Sequence, residues 1–393
     1  MRAIKSCLAI LLIIPFLKPA YFGNIEMLNL AFNIARAVSF CIIVLYYVFA
    51  HKRISRIMIV VLIFQVGLFI STMINHLDYM RVAYDCISIL GYCMFIEAFI
   101  NDFTFLCKII LIPAMIIAIV NLLFIFVNPP NAELLDTYGS FIGHRNHQVG
   151  ILLLSVYMSL LQSHYRSESI NFKTITMLLI SIITVVWIWS ATSLVGVAMM
   201  AVFMFFIYKK NYSRVFNPVV YIGVSVVAFV SVVVIRLQER ISLISFIIED
   251  VLKKDVTFTG RTGLWDMKFI QIKEKPFLGY GVEPSEIRSQ VESSIGAHNY
   301  YLDITYQGGF IALALFIILI VMASEKLMKN KENQITNIIG FSVFCYLVMF
   351  QGESHFSFLF YFSGLLILAY HVENIIKQHE NFKMLKKITS MKY

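Results

Sequence analysis

The chain has 393 residues, of which 59% are hydrophobic and only 14% are charged, against roughly 25% charged residues in an average soluble domain. A soluble chain of this length needs more charged surface, so soluble multidomain architectures are excluded. The net charge of +9 does not indicate a nucleic-acid partner, because the Lys and Arg residues punctuate the apolar runs instead of clustering on one amphipathic face.

Twelve apolar runs are long enough, at about 17 to 25 residues, for a transmembrane helix. They lie near residues 3–20, 27–50, 57–75, 83–100, 106–128, 147–163, 173–189, 192–208, 216–235, 300–323, 334–350 and 355–373. The first begins like a signal peptide but no small-residue cleavage site follows it, which favours an uncleaved span. Spans seven and eight form one apolar stretch, so a tight turn is predicted at 189–193, and a count of eleven stays open. The sequence thus predicts an all-α, polytopic membrane helical bundle, with residues 1–393 forming a single integral membrane domain.

The distribution of basic residues orients these spans. With the N-terminus inside, 19 of the 32 Lys and Arg residues fall on the cytoplasmic side, while the short outer loops hold three. Cytoplasmic loops of membrane proteins carry such an excess, whereas long loops translocate largely regardless of charge. We therefore expect both termini in the cytoplasm and one long external loop, residues 236–299, inserted between spans nine and ten.

Short motifs rich in Gly, His and aromatic residues fall in the predicted outer loops. They are residues 139–147 (GSFIGHRNH), 259–265 (TGRTGLW), 276–281 (PFLGYG), 297–301 (AHNYY) and 351–355 (QGESH). Their occurrence on one face predicts an outward-facing site, although outer loops also hold polar residues by default.

Residues 257–275 predict a short helix at the membrane surface, with Thr259 as its N-cap and Trp265, Phe269 and Ile272 on one face. Arg261 lies at the start of this helix, where backbone N–H groups, the helix dipole and a guanidinium together suit a phosphate group. An interfacial helix whose arginine meets lipid headgroups is the alternative, and the residues alone leave both interpretations open.

His298 directly precedes the tenth span, and an imidazole can take a proton from a hydroxyl group near neutral pH. A merely solvated histidine is the alternative. His144, His147 and His355 also lie in outer loops, and together with His298 they raise the hypothesis of a metal site. No Asp-x-Asp or His-Glu-x-x-His pattern supports one, so neither a metal nor another cofactor is expected. Arg36 lies inside the second span, where a charge is either functional or part of a structural ion pair.

In their order and spacing, the outer motifs resemble those of the superfamily of bacterial O-antigen ligases and of O-antigen and capsular polysaccharide polymerases (Wzy-type). The matching elements are residues 260–265, 276–281, 298–302 and 308–312, and residues 143–147 resemble the Asn-rich segment that precedes a mid-chain span in this family. The motifs cover residues 139 to about 315, and the layout of the spans extends the resemblance over the whole chain.

The resemblance implies a GT-C-like glycosyltransferase of the bacterial inner membrane. Its donor would be a glycan on undecaprenyl diphosphate, and its acceptor another lipid-linked repeat in a polymerase or lipid A–core in a ligase. Membrane lipid and a chain-length regulator protein are further candidate partners. We favour the polymerase. A transporter or flippase for the same lipid-linked sugars is the alternative of another class, but no internal repeat is found and charged residues are nearly absent from the spans.

Carried onto this chain, the resemblance implies that Arg261 holds the diphosphate and that His298 activates the attacking hydroxyl, with the charge of the leaving diphosphate stabilised without a metal. Family members often carry an arginine in the segment that corresponds to 190–193, and this chain has none there. Arg145 is the substitute candidate, ahead of Arg81. The residues predicted to bind substrate are Arg145, His147, Asn299, Gly260 and Tyr280.

Overall fold

The computed structural model describes residues 2–50, 53–130, 139–208, 217–241, 261–282 and 296–390. Within these ranges the chain is helical, and the β pairing found there is a single antiparallel bridge between Gly139 and His144. The predicted all-α class is confirmed for this part of the chain.

The α-helices of the described ranges are α1 (Arg2–Ile13), α2 (Glu26–Ala50), α3 (Arg56–Ile74), α4 (Tyr79–Phe99), α5 (Phe103–Val127), α6 (Val149–Ser167), α7 (Phe172–Trp187), α8 (Ala191–Val202), α9 (Pro218–Phe229), α10 (Leu237–Arg240), α11 (Arg261–Glu274), α12 (Tyr300–Lys329), α13 (Gln334–Met349), α14 (Phe356–Tyr370) and α15 (Val372–Ser390). Short 3₁₀-helices lie at Ile14–Leu17, Ala20–Asn24 and Arg145–His147. One π-helical turn continues α8 at Phe203–Ile207 and another continues α9 at Val230–Val234.

Each of the twelve predicted spans coincides with one of these helices, from α1 to α9 and from α12 to α14. Five of them, α2 to α5 and α12, are long and apolar enough to cross a membrane, and α14 taken together with α15 would make a sixth. Helices α1, α7, α8, α9 and α13 are apolar but shorter. Several apolar helices thus support a multi-pass membrane protein, whereas length and composition do not confirm the predicted count of about twelve.

The predicted external loop, 236–299, is described only in part. Helix α10, helix α11 and the segment up to Val282 belong to it, while residues 242–260 and 283–295 lie outside the described ranges. The predicted surface helix is found as α11, and its predicted N-cap, Thr259, falls outside those ranges. Trp265 and Ile272 are buried, with Phe269 packed against them, so the predicted apolar face of this helix is confirmed.

Arg36 is held inside the bundle by hydrogen bonds to neighbouring segments. Its Nε donates to the carbonyl oxygen of Pro15 at 3.1 Å, and its Nη1 donates to Ser88 Oγ, also at 3.1 Å. The guanidinium therefore joins α2 to α4 and to the segment after α1. These contacts assign Arg36 to helix packing.

Helix α12 is broken at Gly309, whose φ of 67° and ψ of −171° are not helical. Residues 276–281 dock into the break: Phe310 N donates to Pro276 O at 2.7 Å, and Tyr280 N donates to Tyr306 O at 2.8 Å. A Cβ atom at Gly309 would lie 2.0 Å from the carbonyl oxygen of Phe277, so the position requires glycine. Two of the sequence motifs interlock here, and their contact fixes the C-terminal end of α11 against α12.

Stacked aromatic rings hold the first turn of α12 to the end of α13. The ring centroids of Tyr300 and Phe350 lie 4.5 Å apart, and those of Phe350 and Phe362 lie 5.1 Å apart. In addition, Tyr300 N donates to Phe350 O at 2.8 Å. This buried cluster fixes residues 296–299, which precede α12, beside the turn between α13 and α14.

Candidate active site

Five segments that are distant in sequence meet at the end of the bundle where α6 and α12 begin. They are residues 139–148, the turn between α7 and α8, the first turn of α11, residues 296–299, and the turn between α13 and α14 at 350–355. All five are predicted outer segments. The structure therefore brings together four of the five outer motifs, 139–147, 259–265, 297–301 and 351–355, which the sequence distributes over more than 200 residues.

The turn between α13 and α14 is the centre of these contacts. Arg261 Nη1 donates to the carbonyl oxygen of Gly352 at 2.7 Å. Asn299 Nδ2 donates to the carbonyl oxygen of Gln351 at 3.1 Å. From the other side, Thr192 Oγ1 lies 3.2 Å from the point that a Cβ atom at Gly352 would occupy. One turn thus fixes α8, α11 and α12 relative to one another.

His298 and Glu353 face each other across this site. His298 Nδ1 lies 3.4 Å from Glu353 Oε1, with the histidine side chain 39% exposed and the glutamate side chain 4% exposed. His298 has a φ of 49°, a left-handed conformation that costs a non-glycine residue about 1–3 kcal/mol. One face of the imidazole is therefore accessible, while its Nδ1 is directed at a buried carboxylate.

Glu353 is the buried counter-charge of the site. Burial alone raises its pKa, but the hydrogen bond with His298, the proximity of that imidazole and the charge of Arg261 outweigh burial and lower the pKa of Glu353 well below its usual range. Its Oε1 also accepts from Ser354 N at 3.0 Å, while Oε2 is buried without a hydrogen-bond partner among the described residues. Glu353 is therefore ionised at neutral pH and has acceptor capacity left on Oε2.

The guanidinium group of Arg261 interacts both with Glu353 and with a second guanidinium, that of Arg145. Burial lowers the pKa of Arg261, and the nearby charge of Arg145 acts in the same direction. The charge of Glu353 opposes both and raises this pKa. Arg145 is 7% exposed, and burial lowers its pKa as well. Arg145 therefore adds a second positive charge beside the pair of Arg261 and Glu353, and this arrangement suits an anion such as a diphosphate.

The 3₁₀-helix Arg145–His147 positions the second guanidinium. His144 caps it through its Nδ1 atom, which accepts from Asn146 N at 3.4 Å. Asn146 Oδ1 in turn accepts from Ser190 Oγ at 2.9 Å, and Ser190 Oγ lies 2.8 Å from Ser193 Oγ. The predicted tight turn between α7 and α8, which lacks the expected arginine, therefore contacts the residue next to Arg145.

His147 and His355 stack with their ring centroids 3.3 Å apart and an angle of 13° between the planes. Burial, followed by the proximity of His355, lowers the pKa of His147 to about 2, so its ring is neutral at physiological pH. The rings of His144 and His147 lie 5.1 Å apart. The predicted histidine cluster is thus found in space, with two of its rings in face-to-face contact.

Asn299 is buried and forms the N-cap of α12. Its Oδ1 accepts from Tyr301 N at 3.1 Å and from Leu302 N at 3.2 Å, while its Nδ2 binds Gln351 as described above. Each of these bonds satisfies a backbone group that a helix terminus or a turn leaves open. The contacts of Asn299 therefore fix the direction in which the chain leaves His298.

Tyr280 lies in a stack that joins α11 to α12. Its ring stacks on Tyr306 with centroids 5.1 Å apart, and its hydroxyl donates to Glu274. Lys268 Nζ lies 3.4 Å from the centroid of the Tyr306 ring, and Lys275 Nζ lies 4.4 Å from that of Tyr280. Among the described residues these contacts do not include the cluster around His298. Gly260, the remaining predicted binding residue, lies outside the described ranges.

Sequence reasoning did not assign the role that Glu353 holds between His298 and Arg261. The residue was visible in the outer motif 351–355, but its sequence neighbours gave no reason to place it against a histidine 55 positions earlier. The sequence did contain one indication of this role, because Glu353 is the acidic residue of the last predicted outer turn and lies on the same predicted face as His298 and Arg261.

An apolar cavity of about 250 Å³ opens between α9, α11 and α12. It is lined by Tyr221, Ile222, Ser225, Val226, Phe229, Phe269, Ile272, Tyr301, Leu302, Thr305, Phe310, Leu313, Ile317 and Ile320. Phe269 follows Arg261 by eight residues of α11, which corresponds to about 12 Å along a helix axis. The helix that begins with Arg261 therefore continues along an apolar space.

Comparison with known families gives one match. Residues 176–317 match the family model Wzy_C, described as O-antigen ligase, which covers about a third of the chain. The matched stretch includes Arg261, Tyr280, His298 and Asn299, and the resemblance predicted from the motifs is confirmed there. No curated protein matches the chain.

Proposed function

We propose that this chain, whose residues 176–317 match the O-antigen ligase family, is a membrane glycosyltransferase that polymerises oligosaccharide repeat units linked to undecaprenyl diphosphate. The observation that carries the proposal is the meeting of Arg261, Arg145, His298 and Glu353 in one site. This set combines an anion-binding pair with a histidine whose ring is accessible.

The two arginines would bind the diphosphate of the donor. A guanidinium presents a planar fork of donors that matches phosphate oxygens, and Arg261 is already held in place by its bond to Gly352 O. As the sugar leaves the diphosphate, negative charge builds on the leaving oxygen. Fixed positive groups stabilise that charge in the transition state. Arg145 would supply the second positive charge in place of the arginine missing at 190–193.

His298 would act as the general base. With a proton on Nδ1 directed at Glu353 Oε1, the lone pair of Nε2 is available to the acceptor hydroxyl. Nε2 takes the hydroxyl proton while the hydroxyl oxygen forms a bond to the anomeric carbon of the donor. The bond between that carbon and the diphosphate oxygen breaks, and its electron pair leaves with undecaprenyl diphosphate. Glu353 would be a positioning residue that orients the ring and stabilises the imidazolium.

The apolar cavity beside α11 supports a lipid-linked donor. An isoprenoid chain has no polar groups along its length, and the cavity wall is formed almost entirely by aliphatic and aromatic side chains. It lies beside the same helix that carries Arg261, so one substrate could occupy both regions. Part of the isoprenoid would lie in the cavity while its diphosphate meets the arginines.

The distribution of basic residues supports an external position for this site, with both termini in the cytoplasm. Reporter fusions test this directly: a fusion at Lys329 should read cytoplasmic, and a fusion at Ser285 should read external. An external reading at Lys329 would contradict the proposed orientation of the active site.

The test of the reaction uses His298→Gln and a matched control. Gln keeps a hydrogen-bonding group but does not take a proton near neutral pH, so chain growth should fall by about 10²–10⁴-fold, and unpolymerised lipid-linked repeats should accumulate. His76→Gln is the control, because His76 is exposed, lies in the turn between α3 and α4, and has a similar left-handed φ of 56°. Both glycan products and protein in the membrane are measured.

Chain growth at the wild-type rate in the His298 variant would show that His298 is not the general base. An equal loss in both variants would mean that substitution at a left-handed position only destabilises the fold.

Ligation of a glycan to lipid A–core is the second candidate, favoured by the description of the matching family. Both reactions break the same bond and differ in the acceptor. Purified protein should therefore be given the lipid-linked donor alone and with added lipid A–core. Longer lipid-linked chains without added acceptor support the polymerase, whereas a product formed only on lipid A–core supports the ligase.

A further inference from the structure

A second polar pocket lies at the opposite end of α6 from the candidate active site. It has a volume of about 360 Å³ and is formed by the last turn of α6 and by α15. Its lining residues are Tyr165, Arg166, Ser167, Glu168, His379, Phe382, Lys383, Lys386 and Lys387. The 19 residues of α6 span about 28 Å, which is close to the thickness of the hydrocarbon core. The pocket and the active site are therefore separated by about the thickness of a membrane.

The pocket is strongly basic. Arg166, Lys383, Lys386 and Lys387 line it, and Glu168 is the one carboxylate among its lining residues. Glu168 forms an ion pair with Lys383. Basic side chains thus outnumber carboxylates four to one among the lining residues, so the pocket attracts anions.

His379 lines the same pocket with a buried imidazole. His379 is 2% exposed, and its Nε2 atom is buried without a hydrogen-bond partner among the described residues. A buried polar atom without a partner is unfavourable, because it has lost its hydrogen bonds to water. A phosphate oxygen in the pocket would accept a hydrogen bond from Nε2–H and remove that cost.

Helix α15 has the surface of a helix that lies on a membrane. It bends by 62° away from α14, and its distal half exposes Met384, Leu385 and Ile388 next to its lysines. Exposed apolar side chains beside basic residues are typical of helices that insert one face between lipid headgroups and acyl chains. The apolar side chains would thus bring the basic pocket to the level of the headgroups.

We infer that this pocket binds the phosphate-bearing headgroup of an anionic phospholipid and so docks α15 on the membrane surface. Basic pockets between membrane helices are suited to such headgroups, and the attraction amounts to about 1 kcal/mol for each Lys or Arg near the surface. The inference does not depend on the proposed glycosyl transfer, because the pocket and the active site share none of their residues.

A metal ion is the competing occupant. His164, Glu168 and His379 offer ligand atoms that all lie within 4.8 Å of one another. However, Lys383 already binds Glu168, and the three further basic side chains would repel a divalent cation. His164 Nδ1 is also engaged with the hydroxyl of Tyr208 at 2.7 Å. The electrostatics therefore favour the anion.

The test measures thermal unfolding of the full-length protein in a neutral detergent with added phosphatidylglycerol, phosphatidylcholine, inorganic phosphate or Zn²⁺. Phosphatidylglycerol should raise the unfolding temperature and phosphatidylcholine should not. In the double variant Lys386→Gln/Lys387→Gln the apparent affinity for phosphatidylglycerol should fall about 30-fold, which corresponds to two lost charges. Lys377→Gln is the matched control, because Lys377 lies on the same helix, pairs with Glu373 and does not line the pocket.

Four results would overturn the inference. Equal shifts with both lipids, or an unchanged shift in the double variant, would show that headgroup charge is not recognised. A shift of the same size with inorganic phosphate alone would identify a soluble anion as the ligand. Stabilisation by Zn²⁺ that disappears in His379→Ala would identify a metal site.

Discussion

Glu353→Gln is the change that most directly tests the candidate site, because the substitution keeps the shape of the side chain and removes only its charge. The glutamate side chain is 4% exposed and its Oε1 lies 3.4 Å from His298 Nδ1, so little solvent screens the interaction. Hydrogen bonds to charged groups contribute about 1.5–3 kcal/mol. If that energy orients the ring and stabilises the imidazolium during proton transfer, the rate of chain growth should fall by roughly 10–100-fold.

The assay is the rate of glycan elongation in membranes that contain equal amounts of each variant. Glu373→Gln is the control, since Glu373 is exposed on α15, pairs with Lys377 and does not belong to the site. In the Glu353 variant, the affinity for the donor should fall by a smaller factor than the rate of elongation, because the arginines stay in place. Elongation at the wild-type rate in Glu353→Gln would refute the role assigned to the carboxylate.

Three further predictions follow from single contacts. Arg261→Lys keeps the charge but loses the planar fork that binds Gly352 O, so donor turnover should fall about 10–100-fold in the elongation assay. Gly309→Ala should lower the unfolding temperature, because its Cβ would lie 2.0 Å from Phe277 O, whereas Gly263→Ala, with nothing within 4 Å, should leave it unchanged or raise it. Burial lowers the pKa of His147 to about 2 in the folded protein, whereas in the unfolded chain the imidazole takes up a proton near pH 6.5. As the pH falls from 7 to 5, the unfolded state is therefore favoured, and the free energy of unfolding should fall by up to about 1.4 kcal/mol per pH unit. His147→Gln should flatten that slope in thermal unfolding, and an unchanged slope would contradict the buried neutral ring.

The sequence alone determined the helical architecture and the order of its motifs. In lipid, a spanning segment must satisfy its backbone hydrogen bonds internally, so a run of about 20 apolar residues predicts a helix with little dependence on its neighbours. Local rules also predicted α11 and the tight turn between α7 and α8, which ends α7 at Trp187 and begins α8 at Ala191. The candidate roles of Arg261 and His298 came from the same kind of local pattern, supported by resemblance.

Only the tertiary structure decided which of these residues face one another. The contact of His298 with Glu353, the approach of Arg145 to Arg261 and the docking of residues 276–281 into the break of α12 join segments that are 26 to 116 positions apart. No periodicity in the sequence encodes such pairs, because they depend on the packing of several helices at once. The apolar patterns specify that helices form and that they bury particular faces. The burial of a charge such as Glu353 becomes favourable only after packing has brought its counter-charges within reach.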